Sequence, residues 1–354
     1  MNDLAIRLQQ YLFISLGVFI PVSIAITNFI IVLLVLFWIF EGNFKIKFNI
    51  IKSFKWLIAL FALIGLYVLG MFWGDNHLDS AWQFQRLALL IMFPLLATLK
   101  IHQNTIKNGA IAFLGSTLAS GILAILINND VISPLGEYIP AIKNSGQISA
   151  FIKYNYHNVL LALSATLCMY LLTAKKTKNN IFFIIAIIIY ALSIFTERGR
   201  AGQVIFNLSA IFYIIYYGRK YIFRGIVLLT LLFTFQLLIY NTTNVYKDRL
   251  DAVSSIIKNN GDIRKGKAKD IRYVFFKESL QRILKKPILG YGTGSFATIF
   301  NTEVVSWHNF TTHKTPHNQY LYVWFEIGFL GLIFLILIFY FYYHHLKNTT
   351  LFFF

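Results

Sequence analysis

The chain is predicted to be an all-α polytopic membrane protein, with about ten transmembrane helices and one long extramembrane loop. Three observations lead there. Of 354 residues, 57% are hydrophobic and only 13% charged, more apolar surface than a soluble interior needs. The apolar residues form continuous runs suited to crossing a hydrocarbon core about 30 Å thick as helices. They lack the period-two alternation of a membrane barrel. Lysines and arginines cluster in every second connection between the runs.

The spans are expected near 12–26, 29–40, 56–73, 87–100, 109–127, 157–174, 180–195, 201–217, 222–240 and 317–343. The first two form one charge-free run from Tyr11 to Phe40. Pro21 and the pair Thr27-Asn28 break it into a tight helical hairpin. No cleavage site follows this run, so it reads as an uncleaved first span. The lone Cys168 lies within an apolar run, which excludes an intramolecular disulfide and a cysteine-based metal site. Three regions follow: 1–240 with nine transmembrane helices, 241–316 as an extramembrane loop, and 317–354 with the last helix and a tail.

The charges orient these spans. Arg7; Lys45, Lys47, Lys52 and Lys55; Lys100 and Lys107; Lys175, Lys176 and Lys178; Arg219, Lys220 and Arg224; and Lys347 occupy alternate connections. The connections between them hold Asp75, Asp79, Asp130 and Glu137. By the positive-inside rule both termini are cytoplasmic; long loops are exempt from that rule, and 241–316 lies outside by span count. The +18 net charge is partly this topological bias and does not imply nucleic-acid binding. Cysteine labelling at positions 265 and 176 is expected to give opposite sidedness. Equal labelling of both from outside would sink this topology.

The long loop holds thirteen Lys/Arg against six acids. A positive field at the outer interface would attract anionic headgroups or polyphosphates. The competing reading is a solvated basic loop, and it is favoured for Lys258–Lys269. From Asp270 the pattern changes: Ile271, Val274, Phe275, Ser279, Leu280 and Ile283 recur at helical spacing until Pro287. This predicts an amphipathic helix lying on the membrane bundle. Arg272 sits at its start. The glycines of Gly290-Tyr291-Gly292-Thr293-Gly294 lack the Lys-Ser/Thr of a nucleotide loop. They predict a tight positive-φ turn that positions its neighbours.

Two short polar signatures flank spans on the outer side. Thr196-Glu197-Arg198-Gly199-Arg200-Ala201-Gly202 joins two apolar runs. Its arginines could snorkel to the interface. Two arginines at an outward-facing helix N-terminus also suit a diphosphate. His317-Asn318-Gln319-Tyr320-Leu321 opens the last span. His317 is either an interfacial polar anchor or a proton-transfer group. With His313 it has the spacing of a metal pair, but Pro316 argues against a continuous helix there. No metal or cofactor is expected. Glu326, inside the last span, requires a partner, and Gly328 and Gly331 beside it allow close helix packing. A transporter or flippase would show repeat symmetry and paired intramembrane charges; the sequence carries neither.

These residues together resemble the O-antigen ligase family of bacterial inner-membrane glycosyltransferases, which also contains O-antigen polymerases. Pro21–Asn28 looks like that family's first helical hairpin, and Gly70-Met71-Phe72-Trp73-Gly74-Asp75 like its first larger outer turn. Gly199-Arg200-Ala201-Gly202 is similar to its Ser-Arg-Gly/Thr-Gly motif, with Gly199 in place of the usual serine. That leaves Arg198 or Arg200 as the motif arginine, and the following Ala201-Gly202 favours Arg200. The large loop with Arg272, Pro287–Phe296, His317–Leu321 and Glu326-Ile327-Gly328 is the most specific part. Family members usually continue for about two more helices, whereas this chain stops at Leu351–Phe354, as if truncated or naturally short.

The resemblance implies a GT-C-like fold in the bacterial inner membrane with a periplasmic active site. The implied donor is a glycan on undecaprenyl diphosphate; the acceptor is lipid A-core, a second lipid-linked repeat, or a protein. Arg200, Arg272 and Arg198 would bind the diphosphate. His317 would be catalytic, with Asn318, Tyr320 and Glu326 in support and no metal.

Overall fold

The computed structural model describes residues 2–74, 77–129, 131–132, 149–174, 180–219, 221–242, 246–247, 251, 271–302 and 314–348. Among these the regular structure is helical, without strands. The lysines at 175, 176 and 178, the basic stretch 258–269, His308, His313, Asp130, Glu137 and the tail from 349 lie outside the described residues.

The helices are α1 (Asn2–Phe19), α2 (Ile24–Glu41), α3 (Phe44–Ser53), α4 (Lys55–Gly70), α5 (His77–Ala88), α6 (Met92–Thr98), α7 (Gln103–Asn128), α8 (Tyr154–Ala174), α9 (Asn180–Thr196), α10 (Arg200–Gly218), α11 (Ile222–Thr242), α12 (Ile271–Ile283), α13 (Ser295–Phe300) and α14 (Gln319–Asn348). Among the described residues four helices are long and apolar enough to cross a membrane: α2, α7, α11 and α14. The pair α3 and α4, bent by 96°, makes a fifth when taken as one broken span. Leu4–Phe19, Gln83–Thr98 and Asn180–Thr196 are shorter apolar helices. Among the described residues the protein is thus all-helical, with four or five candidate membrane spans where ten were expected.

Two boundaries differ from expectation. The first break falls at Ile20–Ser23 rather than at Thr27-Asn28. Pro21 cannot continue the hydrogen-bond ladder, whereas Thr27 lies inside α2 and donates its hydroxyl back to the Ser23 carbonyl at 2.7 Å. The last helix starts at Gln319, after His317 rather than with it.

The chain divides into two compact units, 1–40 with 101–268 and 41–100 with 269–354. In the first, α1 packs on α7, and α8 on α9 and α10. Apolar burial drives helix association little in lipid, so close backbone approach between small residues matters more. Gly17 of α1 lies against the Gly109 carbonyl of α7, where any Cβ would overlap. Ala162, Ala165, Ala186 and Ala191 serve the α8–α9 core around Tyr190 and Phe195. Across it the Tyr190 hydroxyl donates to the Leu114 carbonyl at 2.8 Å.

In the second unit α4 packs on α14, and α12 and α13 also pack on α14. Lys47 and Lys100 come from two of the basic connections and both meet the buried Glu41 carboxylate, each at 3.1 Å. The expected amphipathic helix is α12; Phe275, Ser279 and Ile283, one turn apart, form its buried stripe.

Gly328 does not serve helix packing as the sequence suggested. It breaks α14, with φ 74° and ψ −167°. A break leaves carbonyls without their helical partners, and buried ones need others. The segment Pro287–Gly292 supplies them: the N–H groups of Tyr291 and Gly292 donate to the Phe325 and Glu326 carbonyls at 2.9 and 2.8 Å. In return, Phe329 N–H donates to the Pro287 carbonyl at 2.9 Å. The turn thus performs the positioning role expected of it, and Gly292 reaches its φ of 93° because it has no Cβ. A side chain at Gly328 would combine a left-handed backbone with overlap of the Ile288 carbonyl. Gly328→Ala is expected to cost about 2–4 kcal/mol from these two effects together, read as a fall in thermal stability in detergent. Gly65→Ala, where a Cβ meets open space, is the control and should leave the midpoint unchanged.

Candidate functional site

The arginine turn belongs to the first unit. Arg198 lies in the connection between α9 and α10, and Arg200 is the first residue of α10; both are half-buried. The Gly199 carbonyl accepts the Gln203 N–H at 3.3 Å, so Gly199 caps α10, leaving the first helical N–H groups facing outward from the ladder. Gln203 ties the turn from the other side, its Nε2 donating to the Ile194 and Glu197 carbonyls at 3.3 and 3.2 Å.

The residues that hold this turn were missed in the sequence. His157 and Asn158, in the first turn of α8, are fully buried, as are Glu197 and Ser120 of α7. The His157 Nδ1 lies 2.7 Å from Glu197 Oε1, and its Nε2 lies 3.0 Å from Ser120 Oγ. Asn158 Nδ2 donates to the Ile194 carbonyl at 3.2 Å and to Glu197 Oε2 at 3.4 Å. Burial pushes the Glu197 carboxyl above the usual carboxylate range, and His157 opposes that shift. Gly199 and Gly202 both lie against Asn158, where any Cβ would overlap. This explains why glycine replaces serine at 199. One sequence signal was available: His157-Asn158 repeats the His317-Asn318 dipeptide at the mouth of an apolar run.

The other expected residues belong to the second unit. His317 is exposed and sits just before α14 with φ 56°, a left-handed backbone uncommon for a non-glycine residue. Its ring lies 5.6 Å from that of Phe275. Asn318 caps α14, its Oδ1 accepting the Tyr320 and Leu321 N–H groups at 3.0 and 3.2 Å. Tyr320 is exposed. Arg272 lies in the first turn of α12, one turn before Phe275. Glu326 is fully buried and accepts the Gly294 N–H at 3.0 Å through Oε1. It ties the glycine turn to α14. Around it Tyr322 donates its hydroxyl to Gln83 Oε1 at 3.1 Å.

Among the described residues no three His, Cys, Asp or Glu side chains gather as metal ligands. The partner histidine of a metal pair, His313, lies outside them. A groove of about 780 Å³ opens between α10 and α11, lined by Asn207, Ile211, Leu229, Phe233, Gln236 and Leu237 among others. Arg200, Asn207 and Ile211 are spaced seven and four residues apart and share one face of α10.

Helices long and apolar enough for a bilayer thus carry two arginines at the start of α10 and a histidine just before α14. A family model described as O-antigen ligase matches residues 185–336, from α9 through the arginine turn, α12 and the glycine turn into α14. Over that segment the chain is similar to the O-antigen ligase family, which supports a ligase- or polymerase-type function in general. No curated protein matches the chain.

Proposed function

We propose that the protein is an O-antigen ligase of the bacterial inner membrane, with cytoplasmic termini and a periplasmic active site. It transfers a glycan from undecaprenyl diphosphate to a sugar hydroxyl of lipid A-core. The observation that carries this reading is the arginine turn: two half-buried arginines at the start of α10, inside the segment matched as O-antigen ligase. Guanidiniums engage phosphate oxygens in a planar fork. The apolar groove that shares the Arg200 face of α10 suits a lipid-linked donor.

In the reaction the acceptor oxygen attacks the anomeric carbon. The bond from that carbon to the diphosphate oxygen breaks, and the lipid diphosphate leaves. Arg200 and Arg272, with Arg198 beside them, stabilise the charge that grows on the leaving group. This is the role a divalent metal plays elsewhere, so none is needed. His317 takes the acceptor proton; Asn318 and Tyr320 set the entry of α14, and Glu326 fixes the glycine turn behind it.

Transfer from a purified lipid-linked donor tests it, with lipid A-core, a second lipid-linked repeat and a peptide as parallel acceptors. Label on lipid A-core is the expected result. Label on the second repeat alone would make the protein a polymerase, label on the peptide alone a protein-glycosylating ligase, and no transfer to any acceptor would reject the reading.

A further inference from the structure

We propose that His157 is a positioning residue for the arginine turn, acting through Glu197, an inference that rests on the reading of Arg198 and Arg200 as diphosphate ligands. Three separate pieces of chain meet at this point: Ser120 on α7, His157 and Asn158 on α8, and Glu197 between α9 and α10. All four side chains are fully buried.

Proton accounting fixes what the imidazole does. The Ser120 hydroxyl has one hydrogen and donates it to the Thr117 carbonyl at 3.0 Å. Its oxygen must therefore accept from His157 Nε2, which carries a hydrogen. The remaining nitrogen, Nδ1, faces Glu197 Oε1 at 2.7 Å, and one more proton lies between them. Whichever atom holds it, the pair is neutral overall and doubly tied. The order hydroxyl, imidazole, carboxylate has the outline of a nucleophilic triad. It cannot work as one here, because Nε2 has no lone pair for the serine proton and the serine is sealed from solvent.

The pair therefore works as a clamp. Without His157, Glu197 would lose its shortest contact and keep the weaker ones from Asn158, at 3.4 Å, and from Ser193. A buried carboxyl that loses its main partner is costly unless it reaches water. The short turn would then move to expose Glu197 and carry with it Arg198 and Arg200, one and three residues on. Glu197→Gln behaves differently: its amide N–H can donate to Nδ1 and keep the tie without an acid.

The test uses the full chain in nanodiscs, with Cys168→Ala to remove the single native cysteine and a spin label on Ala201→Cys, an exposed position in the first turn of α10. The label is expected to be immobile in the parent and in Glu197→Gln, and mobile in His157→Phe. Glu197→Ala, which removes the tie without leaving a buried carboxyl, should also mobilise it. His157→Phe combined with Glu197→Leu, an apolar pair, should restore order. Unchanged label mobility in His157→Phe and Glu197→Ala would overturn the proposal.

In transfer assays His157→Phe should lower kcat about tenfold, because the arginines it displaces act on the leaving group's growing charge, and add nothing further in an Arg198→Ala/Arg200→Ala background. An additive loss would mark His157 as merely structural and overturn the proposal. If Arg200→Ala transfers normally, the diphosphate assignment fails, and the label result still decides whether His157 positions the turn.

Discussion

Replacing His317 by asparagine is expected to leave the lipid-linked donor bound and to slow transfer about 10²–10⁴-fold, the usual cost of losing one placed acid–base group. Asparagine is chosen because of the backbone. His317 holds φ 56°, a region that asparagine visits readily and that costs an alanine about 1–2 kcal/mol. His317→Asn removes the imidazole while keeping the geometry that leads into the Asn318 cap. His317→Ala removes both. If the imidazole carries the acceptor proton, the two variants lose transfer alike. An active His317→Asn beside an inactive His317→Ala would show that only the turn geometry matters. His313→Ala should be the milder change, and chelators should have no effect. Chelator-sensitive activity restored by a divalent ion would replace this mechanism with a metal site.

The arginines give the other large effect. Arg200→Lys and Arg272→Lys should each reduce transfer by about 10²–10³-fold, the scale on which a preorganised charge-stabilising donor acts, with unchanged membrane abundance. Lysine keeps the charge but offers a point donor in place of a planar fork. Arg198→Ala should be milder. Arg200 begins α10 on the face that continues into the groove, whereas Arg198 lies in the connection before the helix. Near-normal transfer in both lysine variants would argue against diphosphate binding at these positions. A larger loss in Arg198→Ala than in Arg200→Lys would move the motif role to Arg198.

Most of the helical architecture was legible in the sequence because lipid leaves the backbone little choice. A long apolar run must satisfy its own N–H and C=O groups, and in a single segment only a helix does so. For this reason α7, α11 and α14 fall close to the runs that predicted them. The amphipathic α12 was legible for a related reason: Phe275, Ser279 and Ile283 recur at the helical period and bury one stripe. The candidate residues themselves, Arg198, Arg200, Arg272 and His317, stood out because charge beside an apolar run is costly unless it has a task.

The sequence by itself thus determined the helical class, the approximate positions of the helices, the positive-φ glycine turn and the positions of the charged groups. Tertiary structure alone decided how those groups are held. His157 and Glu197 lie 40 residues apart, and nothing local pairs them. They meet because α8 packs tightly on α9 and α10 through small residues, which makes the burial of an acid tolerable only beside that imidazole. The break at Gly328 was hidden for the same reason. A glycine in an apolar helix ordinarily marks close packing. Here the helix can break because the distant segment Pro287–Gly292 takes up the Phe325 and Glu326 carbonyls, and whether such donors are at hand is a property of the folded chain and not of the helix that contains the glycine.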